Sequence, residues 1–461
     1  MRHIIRSERG CRLPMKAGKK QKDVLILGGG IAGLSAAYFL QQHNIHITVF
    51  DAHSEPGGNC RTIKVNDFLF DTGAHRIHDK DPEITGQIIK LMGSHLKRIN
   101  APSKIYDNGQ LLSFPLEPQD VFSRMGKRFT LKAGIDLLKN RQNKKRNEDF
   151  ESFAVNSYGR SMADRFLLNY SKKLWGIPCN ELSPEVSGER LKSLTFITLV
   201  KNIISKRYAE EAHYEGEFYY PEQGIGQLSQ TLSSVIGMGN FRLNSRVTGI
   251  FHNNKRIEGI GINGNKRVNA HHFVSTLPIV DFITMMKPAP PQNILDAVKT
   301  LKFRNIRLAV FFINNKSINN AATMYFPANR FMFTRGYEPK NRSSSMSPPG
   351  MTSFVAEVPC FEHDWAWSAD SLDFRKKVEA QILETGLIRK EDIIGCADEK
   401  IAHAYPVLEK DYQEKIVKVS DYLSRFDNLE ISGRSGLFKY LWIHNLVREG
   451  KNIAERVAVG K

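Results

Sequence analysis

Short runs of consecutive apolar residues alternate along the chain with longer stretches of mixed composition. Asp23–Leu27 (DVLIL) is an unbroken aliphatic run ending at glycines, as expected of a strand buried on both faces. Residues 34–43 (LSAAYFLQQH) have helical composition, and residues 45–50 (IHITVF) form a second strand closed by Asp51. Residues 244–250 (NSRVTGI) and 255–262 (KRIEGIGI) read as hairpin partners, and residues 272–278 (HFVSTLP) as a strand and turn. Residues 428–438 (NLEISGRSGLF) read as strand and glycine turn, followed by a helix over 440–456. Residues 105–220 are helical by pattern, and 286–395 mix strand-like and helical stretches. Residues 341–350 (NRSSSMSPPG) read as a mobile surface loop. Strand, helix and strand in this order predict an α/β fold with a parallel sheet.

Composition narrows the class. The 461 residues are 41% hydrophobic and 25% charged, ordinary for a globular chain. Mean hydropathy is −0.36. The longest run free of charged and amide side chains, residues 24–40, is 17 residues and is broken by three consecutive glycines. A membrane span needs about 20. Collagen, coiled-coil and disulfide-scaffold classes fail on composition. The five cysteines, Cys11, Cys60, Cys179, Cys360 and Cys396, are scattered and form no C-x-x-C pair. That fits a reducing compartment and gives no metal site. Without a signal-peptide pattern, the cytoplasm is the expected location.

The net charge of +18 is concentrated. Residues 1–22 hold eight Lys or Arg against Glu8, and residues 124–146 hold nine against Asp136. The rest of the chain is nearly neutral. Nucleic acid is not the expected partner, because no recognition motif accompanies the charge. Residues 121–146 mix apolar and basic positions at partly helical spacing, as a helix lying on an anionic membrane surface does. A solvated helix and tail is the alternative. Residues 1–14 also read as an extended start ahead of Met15.

Gly28-Gly29-Gly30-Ile31-Ala32-Gly33 matches G-x-G-x-x-G between the first strand and its helix. Gly28 serves a tight turn, Gly30 lets the backbone approach a pyrophosphate, and Gly33 lets helix and strand pack closely. The helix N-terminus offers free N–H groups to the phosphates. Asp51 ends the second strand at the spacing of an acid that accepts ribose hydroxyls. Together these predict a bound dinucleotide.

A second glycine pair selects which dinucleotide. Glu55-Pro56-Gly57-Gly58-Asn59-Cys60-Arg61-Thr62 resembles the FAD signature of the glutathione-reductase-like flavoproteins, particularly the flavin amine oxidase superfamily with its protoporphyrinogen oxidase-like members. The resemblance implies a Rossmann-like FAD domain, non-covalent FAD, and contacts from Gly58, Asn59 and Arg61. Residues 68–78 (FLFDTGAHRIH) resemble the flavin-proximal segment of UDP-galactopyranose mutase-like flavoproteins of surface-polysaccharide pathways. This places Gly73, Ala74 and His75 beside the flavin ring, with His75 the candidate catalytic residue; a core or turn histidine is the alternative. Residues 428–438 resemble the superfamily's C-terminal flavin segment, implicating Gly433, Arg434 and Leu437. Val247 matches a residue that touches adenine.

Residues 166–178, with Phe166, Tyr170, Lys173, Leu174, Trp175 and Pro178, resemble the middle of the same mutase-like group. Tyr170 and Trp175 offer ring faces, and Lys173 and Arg190 offer positive charge; Tyr220 is a further substrate candidate. The aromatic positions also fit the buried face of a helix. Where mutases carry an aromatic–acid run, this chain has Tyr440-Leu441-Trp442-Ile443-His444-Asn445. The expected architecture is a basic tail (1–22), an FAD domain in three pieces (23–105, 221–285, 396–461) and an interleaved helical and mixed substrate domain (106–220, 286–395). The expected activity is FAD-dependent oxidation of a sugar- or lipid-linked small molecule, with an unidentified reductant or electron acceptor. A flavin-dependent mutase and a protoporphyrinogen oxidase-like enzyme are the alternatives.

Overall fold

The computed structural model describes residues 23–117, 120, 123–142, 147–187 and 217–459. Arg190 and the basic tail lie outside the described residues. Strand β1 (Asp23–Leu27), helix α1 (Ile31–Gln42) and strand β2 (His46–Phe50) open the fold. β1 and β2 pair in parallel, Asp23 opposite His46 and Leu27 opposite Phe50. His272–Ser275 and Leu429–Ile431 extend the sheet beyond β1, and Phe241–Arg242 closes it beside β2, every pairing parallel. Side chains of β1 alternate between two cores. Val24 and Ile26 join α1 and the C-terminal helix, while Leu25 and Leu27 join Phe282, Val298 and Val419 on the other face. Coverage on both faces is why this strand is aliphatic at every position after Asp23.

Element ends differ from the sequence expectation for local reasons. α1 begins at Ile31, inside the glycine turn, because Leu34 N–H already donates to Gly30 O at 2.8 Å. The C-terminal helix runs Ile443–Val459 rather than 440–456. Trp442 N–H donates to Asn445 Oδ1 at 2.9 Å, a cap that leaves residues 440–442 outside the helix. This helix packs on α1 at Gly450, where a Cβ would sit 2.6 Å from Ser35 Cβ.

The second domain is built on a seven-stranded sheet. Its order is Ile393–Pro406, Phe303–Ile313, Thr352–Cys360, Arg335–Tyr337, Thr323–Tyr325, Ser103–Asp107 and Gln110–Phe114. The expected domain boundaries shift accordingly. Ser103–Asp107 and Gln110–Phe114 form a hairpin through Asn108-Gly109, both at positive φ, so the region after 105 opens as strand and not helix. Ile393–Pro406 stays paired with Phe303–Ile313, so the chain returns to the cofactor domain later than residue 396. Residues 341–350 are not a mobile loop. Arg342 and Met346 are buried, and Ser343 Oγ donates to Glu222 O at 2.5 Å. Among the described residues, no helix is long and apolar enough to cross a membrane.

Candidate functional site

The turn after β1 is shaped by what its glycines exclude. Gly28 has φ +104°, and a Cβ there would meet Thr276 Oγ1 at 2.2 Å. A Cβ at Gly33 would lie 2.0 Å from Gly28 O. Gly30 differs: the nearest atom to its Cβ position is Gly58 Cα at 3.8 Å. Gly30 therefore keeps open a space in front of the α1 N-terminus, where buried Ile31 and Ala32 form the first turn. That is where a pyrophosphate binds. The second glycine pair lies across this space, with Gly57 N–H donating to Gly29 O at 2.8 Å. Gly433, at φ +82°, approaches Thr276 and Ala32 from the C-terminal turn. Three distant segments thus surround one turn.

At the far end, Asp51 is buried and accepts from Gly29 N–H at 2.7 Å and His53 N–H at 2.8 Å. Its carboxylate oxygens keep acceptor capacity for a ribose hydroxyl. Ser245 N–H donates to Asp51 O, and Asn244 N–H to His53 O, which brings Val247 to the end of β2. Leu437 N–H closes the C-terminal turn on Gly433 O, but Leu437 lines a small separate hollow with Leu423, Leu429 and Ile431, away from the main cavity. Arg61 also stays off that cavity. Its Nε donates to Gly58 O at 3.0 Å and its Nη2 faces Glu399, so it braces the glycine pair.

The main cavity, about 1120 Å³, opens where the two domains meet and is lined by Asn59, Gly73, Ala74, His75 and Arg434 of the cofactor side. Its opposite wall is a row across the seven-stranded sheet. Ile105 pairs with Tyr325, Tyr325 with Arg335, and Arg335 with Glu357. Glu357 is fully buried, 2.5 Å from Arg335, and accepts from Ala74 N–H at 2.7 Å. One carboxylate therefore ties the wall to the turn at Gly73. Burial works against the Arg335 charge, but Glu357 and the phenols of Tyr405 and Tyr170 outweigh it and keep the guanidinium protonated. Arg335 also donates to Tyr405 Oη. Burial pushes the Tyr405 phenol up to about 12. Arg434 donates to Leu441 O and Ala404 O and lies over the Tyr440 ring, 4.9 Å from its centroid.

On the cofactor side of the cavity, His75 holds its Nε2 buried and unpartnered. Burial, then the charges of Arg434 and Arg342, pull its pKa down to about 3. It is a neutral imidazole at any working pH, able to donate or accept one hydrogen bond at Nε2. An apolar arm of the lining is made by Phe114, Leu116, Tyr158, Met162, Phe166 and Leu167, packed together with Tyr325. Helical residues 160–175 widen into a π-helical turn over Ala163–Leu168 just before Tyr170.

Of the expected substrate residues, Tyr170 and Trp175 line the cavity. Lys173 does not. Its ammonium donates to Phe326 O, Ala328 O and Phe331 O at 2.7 to 2.9 Å, and burial pulls its pKa down to about 7. It braces the loop that carries Pro327 on the cavity wall. Tyr220 does not line the cavity either: fully buried, it donates to Asp71 Oδ2 at 2.5 Å. Arg335, Glu357, Tyr325 and Tyr405 escaped the sequence reading. The signal for Glu357 was there, a single acid inside the apolar run TSFVAEVPC of Thr352–Cys360.

Residues 31–307 match the model of the family described as flavin containing amine oxidoreductase. The chain belongs to this family. It is a flavoprotein, and its cofactor is non-covalent FAD, which fits the glycine-lined space, Asp51 and the orphaned His75 Nε2. The flavoprotein is 27% identical to mitochondrial protoporphyrinogen oxidase of Nicotiana tabacum over 49% of its own length and 50% of that enzyme. The chain thus spans about half the length of this curated relative. Its fold is similar to that of reduced UDP-galactopyranose mutase, with a TM-score of 0.84 over 95% of both chains at 18% identity. A putrescine oxidase double mutant shares the fold at a TM-score of 0.68, over 96% of this chain and 99% of that one, at 15% identity. These structural likenesses are likenesses of fold.

Proposed function

We propose that this flavoprotein oxidises a carbon of an anionic, sugar- or lipid-linked intermediate in cell-surface polysaccharide assembly. The observation that carries this reading is the cavity beside Gly73 and His75, whose lining combines Arg335, Arg434 and tyrosines with an apolar arm. When bound, FAD supplies a ring that accepts hydride from a substrate carbon. Arg335 and Arg434 hold an anionic group, and the fork of Arg335 favours phosphate or carboxylate oxygens. Tyr170, Tyr325 and Tyr440 give ring faces and hydroxyls to a sugar. His75 offers a neutral hydrogen bond near the reacting centre, and Glu357 fixes the turn that positions it. Trp175 and Phe166, both buried, keep water from the inner wall. Oxygen or a separate acceptor takes up the electrons.

A mutase-type isomerisation without net redox is the second reading. It is favoured by phosphate-binding charge close to the flavin turn. Against it stands the run Tyr440–Asn445, which lines the cavity and holds no acid where the mutase-like pattern carries an aromatic–acid run. Anaerobic mixing with candidate substrates, followed at the flavin absorbance, separates the two. Bleaching by a nucleotide- or lipid-linked sugar supports oxidation. Turnover only after dithionite reduction, with no net electrons consumed, supports isomerisation. Bleaching by a porphyrinogen and by no sugar compound overturns both.

A further inference from the structure

The helix Lys127–Gln142 carries an outward face that nothing in the enzymatic reading uses. Leu131, Ile135 and Leu138 are 68%, 43% and 66% exposed. Their spacing places them on one stripe. Exposed Lys127, Arg128, Lys132 and Lys139 flank that stripe. The helix contains one acid, Asp136, which lies between Lys132 and Lys139 on one flank with its carboxylate engaged, accepting from Ser161 N–H at 2.9 Å and Ser161 Oγ at 2.5 Å. The inner side is occupied: Ala133 is buried with Met125, Tyr158, Met162 and Phe166. An apolar stripe rimmed by four cations, with one acid already hydrogen-bonded to Ser161, is a poor surface for water and a good one for anionic lipid, where chains take the apolar side chains and headgroups take the charges.

We propose that this face docks on an anionic lipid bilayer as a peripheral attachment. Charge complementarity selects the bilayer over a neutral protein partner. The three apolar side chains select it over nucleic acid, which rewards the charges alone. Tyr158, Met162 and Phe166, on which the helix rests, also line the apolar arm of the cavity, so docking sets that arm close to the lipid. The docking does not depend on the substrate reading.

The test is co-sedimentation of the full flavin-loaded chain with vesicles of phosphatidylcholine, alone or mixed with phosphatidylglycerol. Binding to the mixed vesicles only, weakened by salt, is expected. Two surface variants locate it: Lys127→Glu with Arg128→Glu, Lys132→Glu and Lys139→Glu, and Leu131→Ser with Ile135→Ser and Leu138→Ser. Each is expected to weaken binding about tenfold or more, with flavin content unchanged as the check on folding. Wild-type chain that ignores mixed vesicles at low salt overturns the proposal. So does binding unaltered by both variants, which moves attachment to residues 1–22 or another surface. A dimer that the serine variant dissociates reassigns the stripe to a second copy of the chain. Duplex DNA binding lost in the charge variant alone, without vesicle binding, reassigns the face to nucleic acid.

Discussion

His75 stays neutral in the folded chain down to about pH 3, against an ordinary value of 6.5. Between these values the unfolded chain binds more protons, so stability rises with pH, by up to about 1.4 kcal/mol per pH unit, and is complete above 6.5. The depressed carboxylates Asp81, Asp136 and Asp149 act in the same sense at lower pH. Replacing His75 by Gln should flatten the denaturation-against-pH curve between about pH 4.5 and 6; an unchanged slope means the histidine is not buried neutral. Arg335→Lys keeps the charge and loses the fork, so KM for an anionic substrate should rise about tenfold with kcat less affected. A selective loss of kcat instead would mean that Arg335 does not act in ground-state binding. Lys173→Met strips three partly buried carbonyls of their donor and should cost about 2–3 kcal/mol of stability in urea denaturation. A rise in KM with stability unchanged would return Lys173 to the substrate site.

At the level of elements, the two glycines of one turn should behave oppositely. A methyl at Gly33 collides with Gly28 O, so Gly33→Ala should lower the melting temperature of the apoprotein as well as lose flavin. Gly30→Asp meets no protein backbone closer than 3.8 Å at Cβ, and should fold normally yet purify colourless, its carboxylate occupying the phosphate space. Equal loss of stability in both would contradict the distinction. These cofactor elements were legible because strand, turn and helix are contiguous and glycines there answer to backbone geometry. The hairpin at Asn108-Gly109 was equally legible, since Asn-Gly between apolar alternations marks such a turn, but the helical composition downstream drew it into a helical region. The start of the C-terminal helix was hidden because its cap is a bond from the Trp442 backbone to the Asn445 side chain and not a cap residue of the usual type.

At the scale of the molecule, the cofactor turn and the cavity wall come from different domains, joined through Glu357 and Ala74, 283 residues apart. That pairing is why the cofactor half of the site could be read from the sequence and the substrate half could not. Arg335 stands in a three-residue strand, and its meaning depends on Tyr325 and Glu357 lying beside it in register. Tyr170 and Trp175, singled out through the family resemblance of residues 166–178, line the cavity, whereas Tyr220 and Lys173 face Asp71 and three carbonyls. The account stands on FAD extended from the Gly30 space to Gly73. The absorption spectrum of the purified chain beside its Gly30→Asp variant tests this most directly. The wild type should show bands at roughly 370 and 450 nm that the folded variant lacks; a wild type without them that takes up no added FAD, or a variant that keeps them, contradicts the account.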